Sequence, residues 1–272
     1  MSAAYTIEEL MAVAIARDLQ DGEKGLTGLA SGDRTGVLAV GIPLAAMGLA
    51  QHMHAPNLTI FYGGVIVNPR LEEIPTLFES GAGLHRLRAM ARVTPEYVFG
   101  LTRRGEIDFG FSTGAQIDRY GNMNTTCLGP YDKPQARLVG SRLQTEHGSQ
   151  FGREYVVMDH HARRFVNSVD FITGAGYLNG AHAREHAGLR ASGPRLVVTD
   201  LAVLGFNAAT KRMQLESLHP GVSIDLVQER TGLPLLVPDT IPITSPPTDD
   251  ELVILRHRVN PHGRLLPGNA SY

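Results

Sequence analysis

The 272-residue sequence holds a single cysteine, Cys127, so no internal disulfide can form and a reducing compartment is expected. It also lacks an excess of either charge: 25 Lys and Arg stand against 27 Asp and Glu, a formal net charge of -2. A nucleic-acid binder carries a basic footprint, so no nucleic-acid partner is expected. No apolar run comes near the roughly 20 residues that cross a bilayer, and no membrane association is expected. The opening Met1-Ser2-Ala3-Ala4-Tyr5 passes into an acidic segment, without the basic and apolar regions of a signal peptide. Internal repeats, low-complexity linkers and a Gly-x-Gly-x-x-Gly fingerprint after a strand are missing as well. These absences lead to the expectation of a cytoplasmic protein with one domain spanning 1–272. With 43% hydrophobic residues the chain can bury a substantial core.

What is present alternates between strand-like and helix-like segments. Thr6-Ile7-Glu8-Glu9 predicts a capping box, opening an amphipathic helix through Leu10, Met11, Ala14, Ile15 and Leu19. Residues 26–29 read as a short strand and 30–36 as a loop. Residues 37–43 lead into a buried helix over 44–50, with Pro43 near its first turn. Residues 58–62 form an apolar strand running into Gly63-Gly64. Residues 95–104 read as a helix, and 107–111 as a strand ending in Ser112-Thr113-Gly114-Ala115-Gln116. Further strands are expected at 155–158, 169–172 and 196–199, and a short helix at 224–230. A second capping box falls at Thr248-Asp249-Asp250-Glu251, while 180–193 reads as a surface loop. Strands separated by helices imply an α/β domain with a largely parallel sheet.

Two segments carry polar chemistry at strand ends. In Tyr62-Gly63-Gly64-Val65-Ile66 a strand runs into a glycine turn, where open α/β sheets collect ligands and where a substrate can approach the backbone. In Gly114-Ala115-Gln116-Ile117-Asp118-Arg119-Tyr120-Gly121-Asn122-Met123-Asn124-Thr125-Thr126, amides, a carboxylate and hydroxyls crowd a short span. Such a segment can offer hydrogen-bond donors to an oxyanion; it can equally be a polar turn that satisfies its own backbone. His182 and His186 stand four apart and Asp159-His160-His161 is compact, but no third ligand completes a zinc pattern, so no metal site is expected. His160 is assigned a structural hydrogen bond, and Cys127 a packing role as a small hydrophobe.

Several ordered pieces together resemble the B (beta) subunit of class I CoA-transferases, in particular the glutaconate CoA-transferase group. They are Gly41-Ile42-Pro43, His54-Ala55-Pro56-Asn57-Leu58-Thr59, the Gly114–Thr126 segment, Arg163-Arg164-Phe165-Val166 with Val169-Asp170-Phe171, Val198-Thr199-Asp200-Leu201, Ser217-Leu218-His219-Pro220-Gly221-Val222 and Pro247-Thr248-Asp249-Asp250-Glu251-Leu252. The resemblance implies a three-layer α/β/α fold and an A (alpha) subunit as partner, commonly in an α2β2 assembly. It implies an acyl-CoA substrate, with CoA arriving as part of that substrate and no separate cofactor. In the family a B-subunit glutamate, in a pattern of the type Tyr-Glu-small-Gly, attacks the thioester and transfers the CoA.

Here the corresponding residues are Tyr62-Gly63-Gly64-Val65, with no carboxylate. The resemblance therefore points to a glutamate-less branch that hydrolyses or decarboxylates an acyl-CoA. The alternatives are a genuine transferase and a non-catalytic subunit supporting an active partner. Gln116, Gly63 and Gly64 are the implied catalytic positions: Gln116 to orient the acyl group, the glycines to leave space or backbone donors. Gly114, Ala115, Asp118, Asn122 and Asn124 are the implied substrate-binding positions, the last three mainly holding the turn. The pair Arg163-Arg164 suits a CoA phosphate or a partner carboxylate, and equally a solvated basic face or an ion pair with Asp170.

Overall fold

The computed structural model describes residues 4–30, 33–74, 81–189 and 192–267. The chain divides into two compact units, Met1–Phe111 with Ser245–Tyr272, and Ser112–Thr244. In chain order the elements are α1 (Ile7–Ala16), β1 (Lys24–Thr27), α2 (Asp33–Gly36), α3 (Ile42–Met53), β2 (Thr59–Tyr62), β3 (Ile66–Pro69), α4 (Gly81–Leu84), β4 (Ala89–Arg92), α5 (Pro95–Arg104) and β5 (Phe109–Ser112). They continue with β6 (Gln116–Asp118), β7 (Met123–Asn124), β8 (Cys127–Leu128), β9 (Ala136–Arg137), α6 (Gln144–Gln150), β10 (Arg153–Val157), β11 (Phe165–Val166) and α7 (Ala183–His186). The last are β12 (Pro194–Val198), β13 (Ala202–Phe206), β14 (Met213–Leu218), α8 (Ile224–Glu229) and α9 (Asp249–Ile254).

In the first unit β1 sits between β5 and β2 and runs parallel to both, with Gly25 opposite Phe109 and Ile60. The strands β3 and β4 then extend the sheet antiparallel beyond β2. The sheet is thus parallel at its centre and antiparallel at its edge, a mixed form of the parallel arrangement expected. The chain leaves β1 for β2 on one side and returns to β5 on the other, making β1 a switch point, the place where such sheets bind ligands beyond their carboxyl ends.

Helix formation behind this sheet departs from the sequence reading in an instructive way. Residues 33–36, expected in a loop, are helical and run through a π-turn at Val37–Gly41 into α3. Pro43 has no N–H for the Ala39 carbonyl, which a regular helix would pair with it. Thr27 Oγ1 donates to that carbonyl instead, at 2.7 Å, and a π-turn beside a proline is a known way to absorb the misfit. Joined in this way, Arg34–Met53 makes a 20-residue helical stretch of mean hydropathy 1.4 that is long and apolar enough to cross a membrane, and 78% of it is buried inside the fold. This corrects the expectation that no such run exists; Gly36, Gly41 and Gly48 with Pro43 disguise its continuity in the sequence.

Both expected capping boxes form. Thr6 Oγ1 accepts from Glu9 N and Glu9 returns to Thr6 N, and Thr248 and Glu251 repeat the pattern. Each capping glutamate also takes an arginine from the other helical segment. Arg17 donates to both Glu251 oxygens at 2.9 and 2.7 Å, and Arg256, in the π-turn after α9, donates to both Glu9 oxygens at 2.7 Å. Two-pronged pairing of this kind fixes geometry as well as charge.

In the second unit β10 and β12 are parallel, and β13 and β14 follow antiparallel. The core packs Val156, Met158, Phe165, Val197, Leu204, Met213, Leu215 and Val227 together. A small sheet, β11-β6-β7, and the hairpin β8–β9 carry the polar segment. The strand expected at 169–172 does not form, because its groups are used elsewhere: Asp170 binds side-chain and backbone amides, and the Phe171 ring stacks on Tyr131.

Candidate functional site

The turn from β2 to β3 is three residues long, since Tyr62 pairs with Ile66. A turn this tight needs left-handed backbone, and Gly63 and Gly64 supply it at φ +61° and +69°. The two glycines differ in surroundings. A Cβ on Gly63 would lie 2.8 Å from Leu84 Cδ1 and 3.3 Å from Leu29, whereas Gly64 opens onto free space. The Gly63 amide already donates to the Thr27 carbonyl at 2.9 Å. The Gly64 amide meets no acceptor among the described residues. The turn's own residues, 62–66, include no carboxylate: among the described residues that follow, β3 carries the chain roughly 13 Å onward before Glu72 and Glu73. Glu73 is held by Arg88 and lies 3.6 Å from Arg70.

The second segment begins where β5 ends. Gln116 is buried on β6 and its amide is engaged at both ends. Its Oε1 accepts from Asn124 Nδ2 at 2.7 Å and from the Asp170 amide at 3.1 Å, and its Nε2 donates to Asp170 Oδ2 at 3.0 Å. One Nε2 proton is left for another acceptor. Asn124 braces the turn into β8, donating to the Cys127 carbonyl and accepting from the Thr126 amide. Asp118 accepts from the amides of Tyr120 and Asn122 and from Asn122 Nδ2. Asn122 Oδ1 in turn accepts from Gly176 N and Leu178 N. Burial raises the Asp118 carboxyl above its ordinary value, and these hydrogen bonds work in the opposite direction. Gly114 leaves room for the Met123 methyl, 2.7 Å from where its Cβ would be, and the Ala115 amide donates to the Asn124 carbonyl.

The donors of Asn122 and Asn124 are therefore all used, on Asp118, on Gln116 and on backbone carbonyls, and Gln116 alone of the four keeps a free donor. Asp170 and Thr173 are the partners that the sequence reading did not assign to this cluster; Thr173 Oγ1 accepts from Thr125 N at 3.0 Å and pairs with Thr126 Oγ1. A polar residue inside an apolar-looking run, as in Val169-Asp170-Phe171-Ile172, was the available signal.

A second polar knot supports the same strand end. Glu154, fully enclosed on β10, accepts from Ser112 Oγ at 2.6 Å and Gln144 Nε2 at 2.7 Å. Burial raises its pKa. His147 Nδ1 lies 3.9 Å from Glu154 Oε1, but burial lowers His147 to about 4, so this contact is not an ion pair at neutral pH.

The remaining sequence candidates fall into structural roles. His160 shares hydrogen bonds with Thr199 and Thr231 hydroxyls and stacks on Phe165. Arg164 reaches Asp159 at 3.5 Å and the Gly114 carbonyl, not Asp170. Cys127 is buried. His182 pairs with Glu185, and among the described residues no group of three or more His, Cys, Asp or Glu could hold a metal ion.

Comparison with known proteins adds to this geometry. Residues 8–230 match the family model described as Coenzyme A transferase. The chain is 30% identical to the B subunit of 3-oxoadipate CoA-transferase from Pseudomonas knackmussii, with 93% of each chain covered. It is 31% identical to the B subunit of glutaconate CoA-transferase from Acidaminococcus fermentans, over 94% of this chain and 93% of that one. The crystal structure of glutaconate coenzyme A-transferase from Acidaminococcus fermentans superimposes with a TM-score of 0.81 at 28% identity, covering 97% of this chain and 98% of that one. The decarboxylase AibA/AibB superimposes with a TM-score of 0.77 at 26% identity, covering 96% and 98%. The cholesterol ring-cleaving hydrolase IpdB subunit of Rhodococcus jostii is 32% identical over 54% of this chain and 57% of its own.

Proposed function

Since this chain belongs to the coenzyme A transferase family, we propose that it is the B subunit of a two-subunit enzyme acting on acyl-CoA thioesters without a nucleophilic glutamate. The observation that carries this reading is the β2–β3 turn, where the transfer mechanism needs a carboxylate and the chain has Gly63-Gly64. A side chain at Gly63 would press on Leu84 and Leu29 and adopt a left-handed backbone, so the turn is packed as a glycine turn. Relatives that cleave a steroid ring or decarboxylate support a chemistry other than transfer.

Two reactions fit a site with oxyanion donors and no nucleophile. In hydrolytic C–C cleavage, water adds to a ring ketone and the electron pair of the breaking bond flows into the thioester enolate. In decarboxylation, the pair of the C–CO2 bond takes that path. Either enolate is then protonated at carbon, and its negative oxygen is stabilised by fixed N–H donors. Within the first unit the Gly64 amide is such a donor, and within the second Gln116 Nε2 keeps one proton; the acid or base comes from the A subunit.

The test incubates the purified two-subunit complex, expected as α2β2, with an acyl-CoA and a labelled carboxylic acid. The expected outcome is no label in the thioester pool. Rapid exchange with a trappable glutamyl-CoA would overturn the reading in favour of the transferase, which the two full-length transferase relatives support. The non-catalytic alternative draws on the inward-turned Asp118, Asn122 and Asn124. Gln116→Ala separates it: turnover lost with the complex intact marks an active-site role, and assembly lost alone marks a scaffold.

A further inference from the structure

We propose that Asp170 is a positioning residue, which turns the Gln116 amide so that its one uncommitted N–H is presented to the enolate oxygen of the substrate. The use of that N–H rests on the function proposed above; the setting of the amide rests on three observations within the second unit.

The first is a chain of fixed polarity. Asn124 Oδ1 accepts from the backbone amides of Thr126 and Cys127 at 3.0 and 3.3 Å. Its Nδ2 is therefore the end that donates, to the Cys127 carbonyl and to Gln116 Oε1, each at 2.7 Å. Backbone groups thus decide which end of each amide is oxygen and which is nitrogen. The Asp170 amide is a second donor to Gln116 Oε1, at 3.1 Å. These two bonds hold the oxygen and leave the nitrogen free to pivot about it. The second observation is the Asp170 carboxylate, whose Oδ2 accepts from Gln116 Nε2 at 3.0 Å and from Gly129 N at 2.9 Å. An ionised carboxylate only accepts, so it takes the nitrogen end and stops the pivot. Among the described residues no cation pairs with Asp170, so an ion pair does not account for its place. The amide is planar, and with these bonds made its second Nε2 proton has one direction left.

The third observation is redundancy. The loop that carries Asp170 is anchored without its side chain. Thr173 N and Gly174 N donate to the Met123 carbonyl, Thr173 Oγ1 accepts from Thr125 N, and the Phe171 ring stacks on Tyr131. The hairpin beside Gly129 is likewise closed by Gln135 N on the Leu128 carbonyl at 2.8 Å. A carboxylate needed only to tie loop to hairpin would add little to these contacts. What it adds is the aim of Gln116, and a reacting geometry misplaced by about 1 Å forfeits much of the rate.

The test uses acetoacetyl-CoA, a thioester whose enolate absorbs in the ultraviolet, bound to the complex of this chain with its A subunit. The enolate-to-ketone ratio of the bound probe reads the oxyanion donors and needs no turnover. Wild type should raise that ratio above its value in solution at the same pH. Gln116→Ala should lower it about tenfold or more, as loss of a hydrogen bond to a charged group requires. Asp170→Ala should lose most of the same factor at unchanged melting temperature. The double variant should lose no more than Gln116→Ala, the mark of two residues acting as one. Asp170→Asn should restore the ratio, because its carbonyl oxygen can take both N–H groups. A wild-type complex that leaves the probe unbound or its ratio unchanged, additive losses in the double variant, or an Asp170→Asn loss as deep as that of Asp170→Ala would each overturn the proposal. So would an Asp170→Ala complex that does not assemble, since the side chain would then be holding the loop. Label exchange in the assay described above, with the Gln116–Asp170 coupling intact, would remove the reading without a nucleophile and leave Asp170 in its role; coupling absent with no exchange would do the reverse.

Discussion

Gly63 and Gly64 are adjacent, share a backbone conformation and still predict different mutational costs. At Gly64 an alanine meets only the left-handed backbone, so Gly64→Ala should lower stability by about 1 kcal/mol. At Gly63 the Cβ would also strike Leu84, and overpacking adds about 1–3 kcal/mol to the same strain. Urea denaturation of the two variants should show that difference, and equal costs would mean the Leu84 contact yields freely. His160 makes a second residue-scale prediction. Burial lowers its pKa to about 4 from an unfolded value near 6.5. Between those values the unfolded chain binds a proton that the folded chain does not, so stability from this residue is complete above about pH 6.5 and lost as pH falls toward 4. The slope is at most about 1.4 kcal/mol per pH unit. Thermal melts at pH 7.5, 6 and 5 should show a shallower decline for His160→Gln than for wild type.

At the scale of elements, local signals read from sequence fared best where the chemistry was itself local. The Thr6 and Thr248 capping boxes and the helix at 95–104 formed where expected, because a cap needs only residues three apart. Thr248→Ala should cost about 1 kcal/mol. Glu251→Ala should cost more, since the cap and both Arg17 hydrogen bonds disappear together, and part of that excess should fade in high salt. Chemical denaturation at two ionic strengths would measure both. What escaped the sequence depended on distant partners. The helix at 44–50 was read, but its continuation back through Pro43 to Asp33 was not, because so largely buried a stretch shows little polar face to give a helical period. The run at 169–172 had a strand's pattern, but Asp170 and Phe171 find partners at Gln116, Gly129 and Tyr131, which no local window contains.

For the whole molecule, the α/β class was legible from the alternation of elements, and the antiparallel outer strands were not, since pairing direction is decided by where the chain turns. The candidate site was half legible. Its segments could be located by their glycines and amides, and Asp118, Asn122 and Asn124 were expected mainly to hold the turn; which groups they bond emerges only from geometry.

The first unit contains both Met1–Phe111 and Ser245–Tyr272, with consequences for how the protein is made. Translation proceeds at roughly 5–20 residues per second and domains fold as units. The second unit is one uninterrupted stretch and can mature while still tethered to the ribosome. The first must wait until residues 245–272 have been made before Glu9 and Arg17 meet their arginine and glutamate. Residues up to Phe111 are thus completed only after the second unit has been made, and in the interval the apolar helix ending at Met53 lacks the cover that residues 245–272 give it.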